Sequence, residues 1–135
     1  MIEILAGGFA FKAKLENEAA PKTCARFLHM LPYSERIIHV RWSGEGCWIP
    51  LGDTDLELGF ENATSYPAPG QFILYPGGFS ETEILLAYGG VNFASKMGQL
   101  AGNHFLTIIE GLESLPALGK KVLWEGAQEI RFKQT

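Results

Sequence analysis

Residues 71–89 read QFILYPGGFSETEILLAYG. Two apolar runs, Gln71 to Tyr75 and Glu83 to Tyr88, flank Pro76-Gly77-Gly78, the residue types that bend a chain, so the segment predicts a β-hairpin. Side chains alternate along a strand, which puts Ile84, Leu86 and Tyr88 on one face and Leu85 and Ala87 on the other. Glu81 and Glu83 stand two apart and project to one face if the strand starts that early. Paired carboxylates that are close and partly buried can separate their pKa values and share acid–base work. Solvated loop charges, or charges that protect a strand edge, are the commoner explanation of such a pair.

Outward from this hairpin, strand signals dominate. Ile2 and Ile4 alternate with polar or small neighbours, Gly7-Gly8 turn the chain, and Phe9, Phe11, Ala13 and Leu15 take every second position. Pro21 suits the first turn of a helix, and Cys24, Phe27, Leu28 and Leu31 recur at helical spacing before Pro32 ends it. Strands are predicted at Arg36 to Trp42 and Cys47 to Leu51, with Gly44-Glu45-Gly46 between them. From Gly52 to Gly70, Asp53, Asp55, Glu57, Glu61, Pro67 and Pro69 predict a long exposed connection. Asn103 to Glu110 predicts a strand, Gly111 to Leu118 a short helix closed by Gly119, and Val122 the start of a last strand. About eight mostly short strands and two helices suffice to close a small, largely antiparallel β-barrel filled by side chains. With 135 residues and no linker, repeat or low-complexity tract, one domain is expected over 1–135.

Composition narrows the function classes. The chain is 47% apolar and 19% charged, a globular balance, and 16 Gly with 7 Pro favour many turns. Net charge is −4, and the eleven Lys and Arg residues form no run, so no nucleic-acid partner is expected. Cys24 and Cys47 share no redox or metal spacing and predict reduced, packed thiols. The N-terminus lacks a basic region followed by an apolar block. The charge-free apolar run Ile84 to Ser95 is shorter than the ~20 residues of a membrane helix. A cytoplasmic protein without membrane partners is the expectation. His39, His104 and Glu81 or Glu83 could converge on a metal, but no ligand spacing supports it, and no phosphate loop or nucleophile elbow is present. Neither metal nor cofactor is expected.

Several stretches, in order along the chain, resemble cyclophilins, the peptidyl-prolyl isomerases. Ala20-Pro21-Lys22-Thr23 followed by Phe27-Leu28 resembles the A-P-K-T-x-x-N-F-L of their first helix, with Arg26 where they carry Asn. Ile38-His39 resembles the F-H of F-H-R-V-I, and Trp48-Ile49-Pro50-Leu51-Gly52-Asp53 resembles M-I-Q-G-G-D. Ile109-Glu110-Gly111-Leu112 resembles the V-E-G-M that opens their second helix. The resemblance implies a cyclophilin-like barrel over most of the chain. It lays the isomerase arginine on Val40 and the pocket glutamine on Pro50, and the stretch that supplies pocket Trp and His residues has no counterpart. Arg41 is next to Val40, but alternation sends it to the opposite face unless a bulge intervenes. An isomerase needs a guanidinium aimed at the twisting amide, so prolyl isomerase activity is not expected. The set RWSGEGCWIPLGD, ENATSYPAPGQFILYPGG, SETEILLAYG and LAGNHF is similar to a bacterial and archaeal family of short proteins with a cyclophilin-like fold and no assigned function. That similarity implies a fold and no chemistry.

Arg41, Trp42, Trp48, Tyr75, Glu83 and His104 are the candidate ligand-binding residues. Aromatic groups near Gly-rich turns can line a pocket for an apolar or amide-bearing ligand, with Arg41 for a carboxylate. The same tryptophans can instead fill a barrel core. The leading expectation is a binding or accessory protein for a small molecule or peptide. The alternative is a divergent isomerase using Arg41, or another small enzyme using Arg41, Glu83 and His104. A homo-oligomer with the aromatic loop Asn62 to Pro69 as its interface is a third expectation. Arg41, Glu83 and His104 act together only if they face one cavity.

Overall fold

A computed structural model describes all 135 residues. Strands β1 (Ile2–Ala6) and β2 (Phe9–Leu15) lead into helix α1 (Pro21–Leu28). Strands β3 (Tyr33–His39), β4 (Gly44–Pro50), the short β5 (Ala63–Thr64), β6 (Gln71–Tyr75) and β7 (Glu83–Val91) follow. A small hairpin, β8 (Ala94–Ser95) and β9 (Gly98–Gln99), precedes β10 (Gly102–Glu110). A 3₁₀ turn (Leu112–Ser114), helix α2 (Leu115–Glu125) and β11 (Gln128–Gln134) complete the chain. Eight strands run in the order β2-β1-β11-β3-β4-β7-β6-β10, and β10 pairs back onto β2, closing a fully antiparallel barrel. Closure leaves none of these eight strands as an open edge. No helix is long and apolar enough to cross a membrane.

Alternation fills the barrel. Ile2, Ile4, Phe11, Ala13, Ile37, Cys47, Ile49, Phe72, Leu74, Ile84, Leu86, Ile130 and Phe132 all point inward. Because β2 and β10 are antiparallel neighbours, the helices that follow them leave from opposite ends of the barrel. Helix α1 inserts Cys24 and Phe27, the latter edge-on to Phe105 at 5.0 Å and Phe132 at 5.2 Å. Helix α2 inserts Leu115, Leu118 and Val122 at the other end.

The elements differ from the sequence reading where tertiary contacts override local signals. Gly119 does not close the second helix. It lies inside α2, where a Cβ would run into the ring of Tyr88, and the glycine that ends the helix is Gly126, with φ 90°. No strand starts at Val122, which is a core residue of α2. Gly44 and Gly46 belong to β4, bulged between them, and the β3–β4 turn falls on residues 41–43 instead. The connection from 52 to 70 is largely irregular, as its acidic and proline content predicts, yet it is tied down. The Glu61 carboxylate accepts the Thr23 amide N–H at 2.6 Å and the Thr23 hydroxyl at 2.7 Å, satisfying the first turn of α1 from 38 residues away.

Candidate functional site

Cys47 and Ile49 face the barrel core, so Trp48 and Pro50 on β4 face outward. The same alternation turns Ile73 and Tyr75 outward on β6, and Glu83, Leu85 and Ala87 outward on β7. An outward apolar face needs a cover. The chain after β7 supplies it: Val91, Phe93 and Leu100 pack with Val40, Ile73, Tyr75, Leu85 and Ala87 into a second core. The β8–β9 hairpin is thereby held over the sheet, and Ser43 fastens it. The Ser43 hydroxyl donates to the Ala94 carbonyl at 3.0 Å and accepts the Ala94 N–H at 3.1 Å, while the Asn92 N–H donates to the Ser43 carbonyl at 2.9 Å.

Between the sheet, the hairpin tip and the 76–82 loop lies a cavity of about 710 Å³. Trp48 and Glu83 reach it from the sheet, Trp42 from the β3–β4 turn, Phe79 from the loop, and Lys96 and Met97 from the hairpin tip. Trp42 and Trp48 meet edge to face, with ring centroids 5.7 Å apart at 84°. Trp42, Phe79 and Met97 are more than half exposed and form an apolar rim.

Glu83 is the unusual group. It is 5% exposed and lies opposite Pro50 on one side and Tyr75 on the other. Its carboxyl forms no ion pair, and the neighbouring Trp48 indole N–H is buried without completing a hydrogen bond. Burial pushes the Glu83 carboxyl up to about 7, against a lowering pull from the Trp48 N–H and with a further push from Glu81. Glu81 itself is exposed at the cavity edge.

Tyr75 lies behind the cavity and positions its wall. Its buried hydroxyl accepts the N–H of Phe79 at 3.1 Å and of Ser80 at 3.2 Å, folding the loop back on the strand. Gly77 and Gly78, with φ 93° and 108°, make the bend that permits this.

Two candidates lie elsewhere. Arg41 is exposed in the β3–β4 turn and does not line the cavity. It stands near His39, whose pKa is lowered by burial and by Arg41, with Glu45 opposing. The His39 Nε2 is 2.6 Å from the Tyr88 hydroxyl. His104 is on β10, with Nε2 2.7 Å from the Thr107 hydroxyl, which donates in turn to Glu16 at 2.7 Å. Thr107 spends its one proton on Glu16, so the His104 ring nitrogen is the donor. Burial lowers the His104 pKa, Glu16 raises it and Lys14 lowers it. Arg41, Glu83 and His104 therefore do not share a cavity, whereas Trp42, Trp48 and Glu83 do, with Tyr75 behind them.

Phe79, Ser80, Ser95, Lys96 and Met97 were missed from sequence. The signal for the last three was slight: an isolated Phe93 in a polar stretch, which anchors the hairpin by complete burial. Val40 and Pro50, the positions that the resemblance gives to the isomerase arginine and glutamine, border this same outward face. Where that resemblance implies a cation, the face carries a buried carboxyl. No group of three or more His, Cys, Asp or Glu side chains gathers with metal-ligating geometry.

Comparison with known proteins agrees with the architecture. No curated protein matches the chain. Among solved structures, McbB in complex with tryptophan superposes with a TM-score of 0.74 at 20% identity, covering all of this chain and 45% of McbB. This chain thus spans less than half of McbB's length. A hypothetical protein from Archaeoglobus fulgidus gives a TM-score of 0.65 at 14% identity, covering 99% of this chain and 93% of that one. A cyclophilin-type peptidyl-prolyl cis-trans isomerase from Cryptosporidium parvum, solved in the presence of the dipeptide Ala-Pro, gives 0.55 at 16% identity, covering 87% and 84%. At these identities the likeness shows the fold, a cyclophilin-like barrel. A family model described as a protein of unknown function, DUF3830, matches residues 2–134, and the chain belongs to that family.

Proposed function

We propose that this chain binds a small organic cation with an apolar body in the cavity beneath the β8–β9 hairpin. The observation that carries the reading is Glu83, a carboxyl 5% exposed and without an ion-pair partner in a wall of aromatic side chains. An unpaired charge in such a wall is costly, and a cationic nitrogen from a ligand removes that cost. McbB, which shares the fold, was solved with tryptophan, a zwitterion that joins an ammonium and a carboxylate to a flat apolar ring. Val40 and Pro50 supply no guanidinium or amide donor, so the prolyl-peptide reading has no group to act with.

Calorimetric titration with tryptamine and with indole-3-propionate, similar in bulk and opposite in charge, tests the reading. Tryptamine binds, and Glu83→Gln weakens it at least ~10-fold, the scale of one desolvated charge pair. Affinity rises from pH 6 to pH 8 as Glu83 ionises through about 7. Equal affinity for the two indoles rejects the proposal.

The same carboxyl supports a second reading, because a group that titrates near neutral pH suits proton transfer to or from a bound molecule. Arg41 and His104 stand outside both readings, since neither lines the cavity.

A further inference from the structure

We propose that the cationic head taken by this cavity is an alkylated ammonium of the trimethylammonium kind, enclosed by the rings of Trp42, Trp48 and Phe79 with the Glu83 carboxyl beside it. The inference rests on the cation reading above and adds the chemistry of the nitrogen. A primary ammonium brings three N–H donors and needs acceptors for them. Ser80, Ser95 and Glu81, half-buried or exposed, supply acceptors open to water, whereas the one buried carboxyl, Glu83, shares the lining with two indole rings, a phenyl ring and the Met97 thioether. An alkylated ammonium spreads its charge over methyl groups, which rest on ring faces without hydrogen bonds.

The ring arrangement suits that head. Trp42 and Trp48 stand at 84° with centroids 5.7 Å apart, two walls of a corner, and Phe79 comes from the facing loop. Tryptophan is the strongest cation–π partner among the side chains. Trp42 is 58% exposed and Phe79 61%, so neither ring is spent on filling a core. Lys96, the one cation at the cavity, is exposed on the hairpin tip, where its long stem lets the ammonium turn to water. A cavity of about 710 Å³ exceeds a trimethylammonium head and leaves room for a further body.

The test follows the indole N–H signals of the full chain by NMR during titration with tetramethylammonium, choline, tryptamine and 3,3-dimethylbutan-1-ol, the uncharged isostere of choline. Trp124, 80% exposed on α2, serves as the internal control. Tetramethylammonium and choline shift the Trp42 and Trp48 signals saturably and leave Trp124 unmoved, and the isostere binds at least ~10-fold more weakly. Trp42→Ala and Phe79→Ala each lower choline affinity by roughly 3- to 10-fold, the worth of one cation–π contact. Both rings are surface groups, so these variants keep the fold. Binding of tryptamine without binding of choline overturns this inference and leaves the broader cation reading standing. Equal binding of choline and its isostere, or no response to any of the amines, overturns both.

Discussion

Glu83 shows how one residue's surroundings set its chemistry. On sequence it is a glutamate at the start of a predicted strand, and burial in the wall, with a further push from Glu81, lifts its pKa from 4.5 to about 7. The folded protein then keeps a proton that the unfolded chain has released. Glu83's contribution to stability is therefore fully present below pH 4.5, is lost as pH rises to about 7, and stays lost above that. Glu83→Gln removes the penalty, and its stability exceeds that of the parent at pH 8 by up to about 3 kcal/mol. Thermal unfolding at pH 5, 6.5 and 8 checks this: the gap between variant and parent must widen with pH. His39 and His104 carry the opposite sign. Burial depresses both, so their share is present above pH 6.5 and lost as pH falls. Strand alternation made it readable from sequence that Glu83 shares a face with Leu85 and Ala87, whereas neither the outward direction of that face nor the absence of a partner for the carboxyl was.

At the scale of elements, the longer strands before α2 were legible, whereas the helix ends, the last strand and the two-residue strands were not. Period-two alternation in β1, β2, β6 and β7 is a local pattern that follows from which face is buried. Gly119 misled because a glycine after apolar residues resembles a helix C-cap, while its actual role is to let the Tyr88 ring lie against α2. Helix propensity favours Gly119→Ala by up to ~1 kcal/mol. The added Cβ nevertheless collides with a ring held in place by His39 2.6 Å from its hydroxyl, and overpacking wins. Gly119→Ala is expected to lose about 1–3 kcal/mol in denaturant unfolding. Tyr88→Ala relieves the clash, so adding Gly119→Ala to that variant costs less than adding it to the parent. The β8–β9 hairpin went unread because two-residue strands carry almost no periodic signal, and long-range contacts from Ser43 and Phe93 hold them.

For the whole molecule, a closed, largely antiparallel barrel with two helices was implied by the strand count and by the resemblance to cyclophilins, and the structure seats α1 and α2 at its two ends. The placement of function was not. Val40 sits in the second core and Arg41 is exposed in a turn, so no guanidinium stands over the outward face. In a proline-peptide isomerisation assay at pH 7 the purified chain is expected to show only the uncatalysed rate. Catalysis that disappears in Arg41→Ala would overturn that expectation. Sequence alone determined strands β1, β2, β4, β6, β7 and β10 to within a few residues, the first helix, the hairpin at 71–89 and the class of fold, because burial of one face writes a short-range period into the chain. Tertiary structure alone decided that Trp42 stands beside Trp48 and Glu83, that His104 and Arg41 stand apart from them, and that Glu61 caps a helix 38 residues earlier. Those facts depend on distances across the barrel surface and on what water can reach, and neither quantity has a local imprint in sequence.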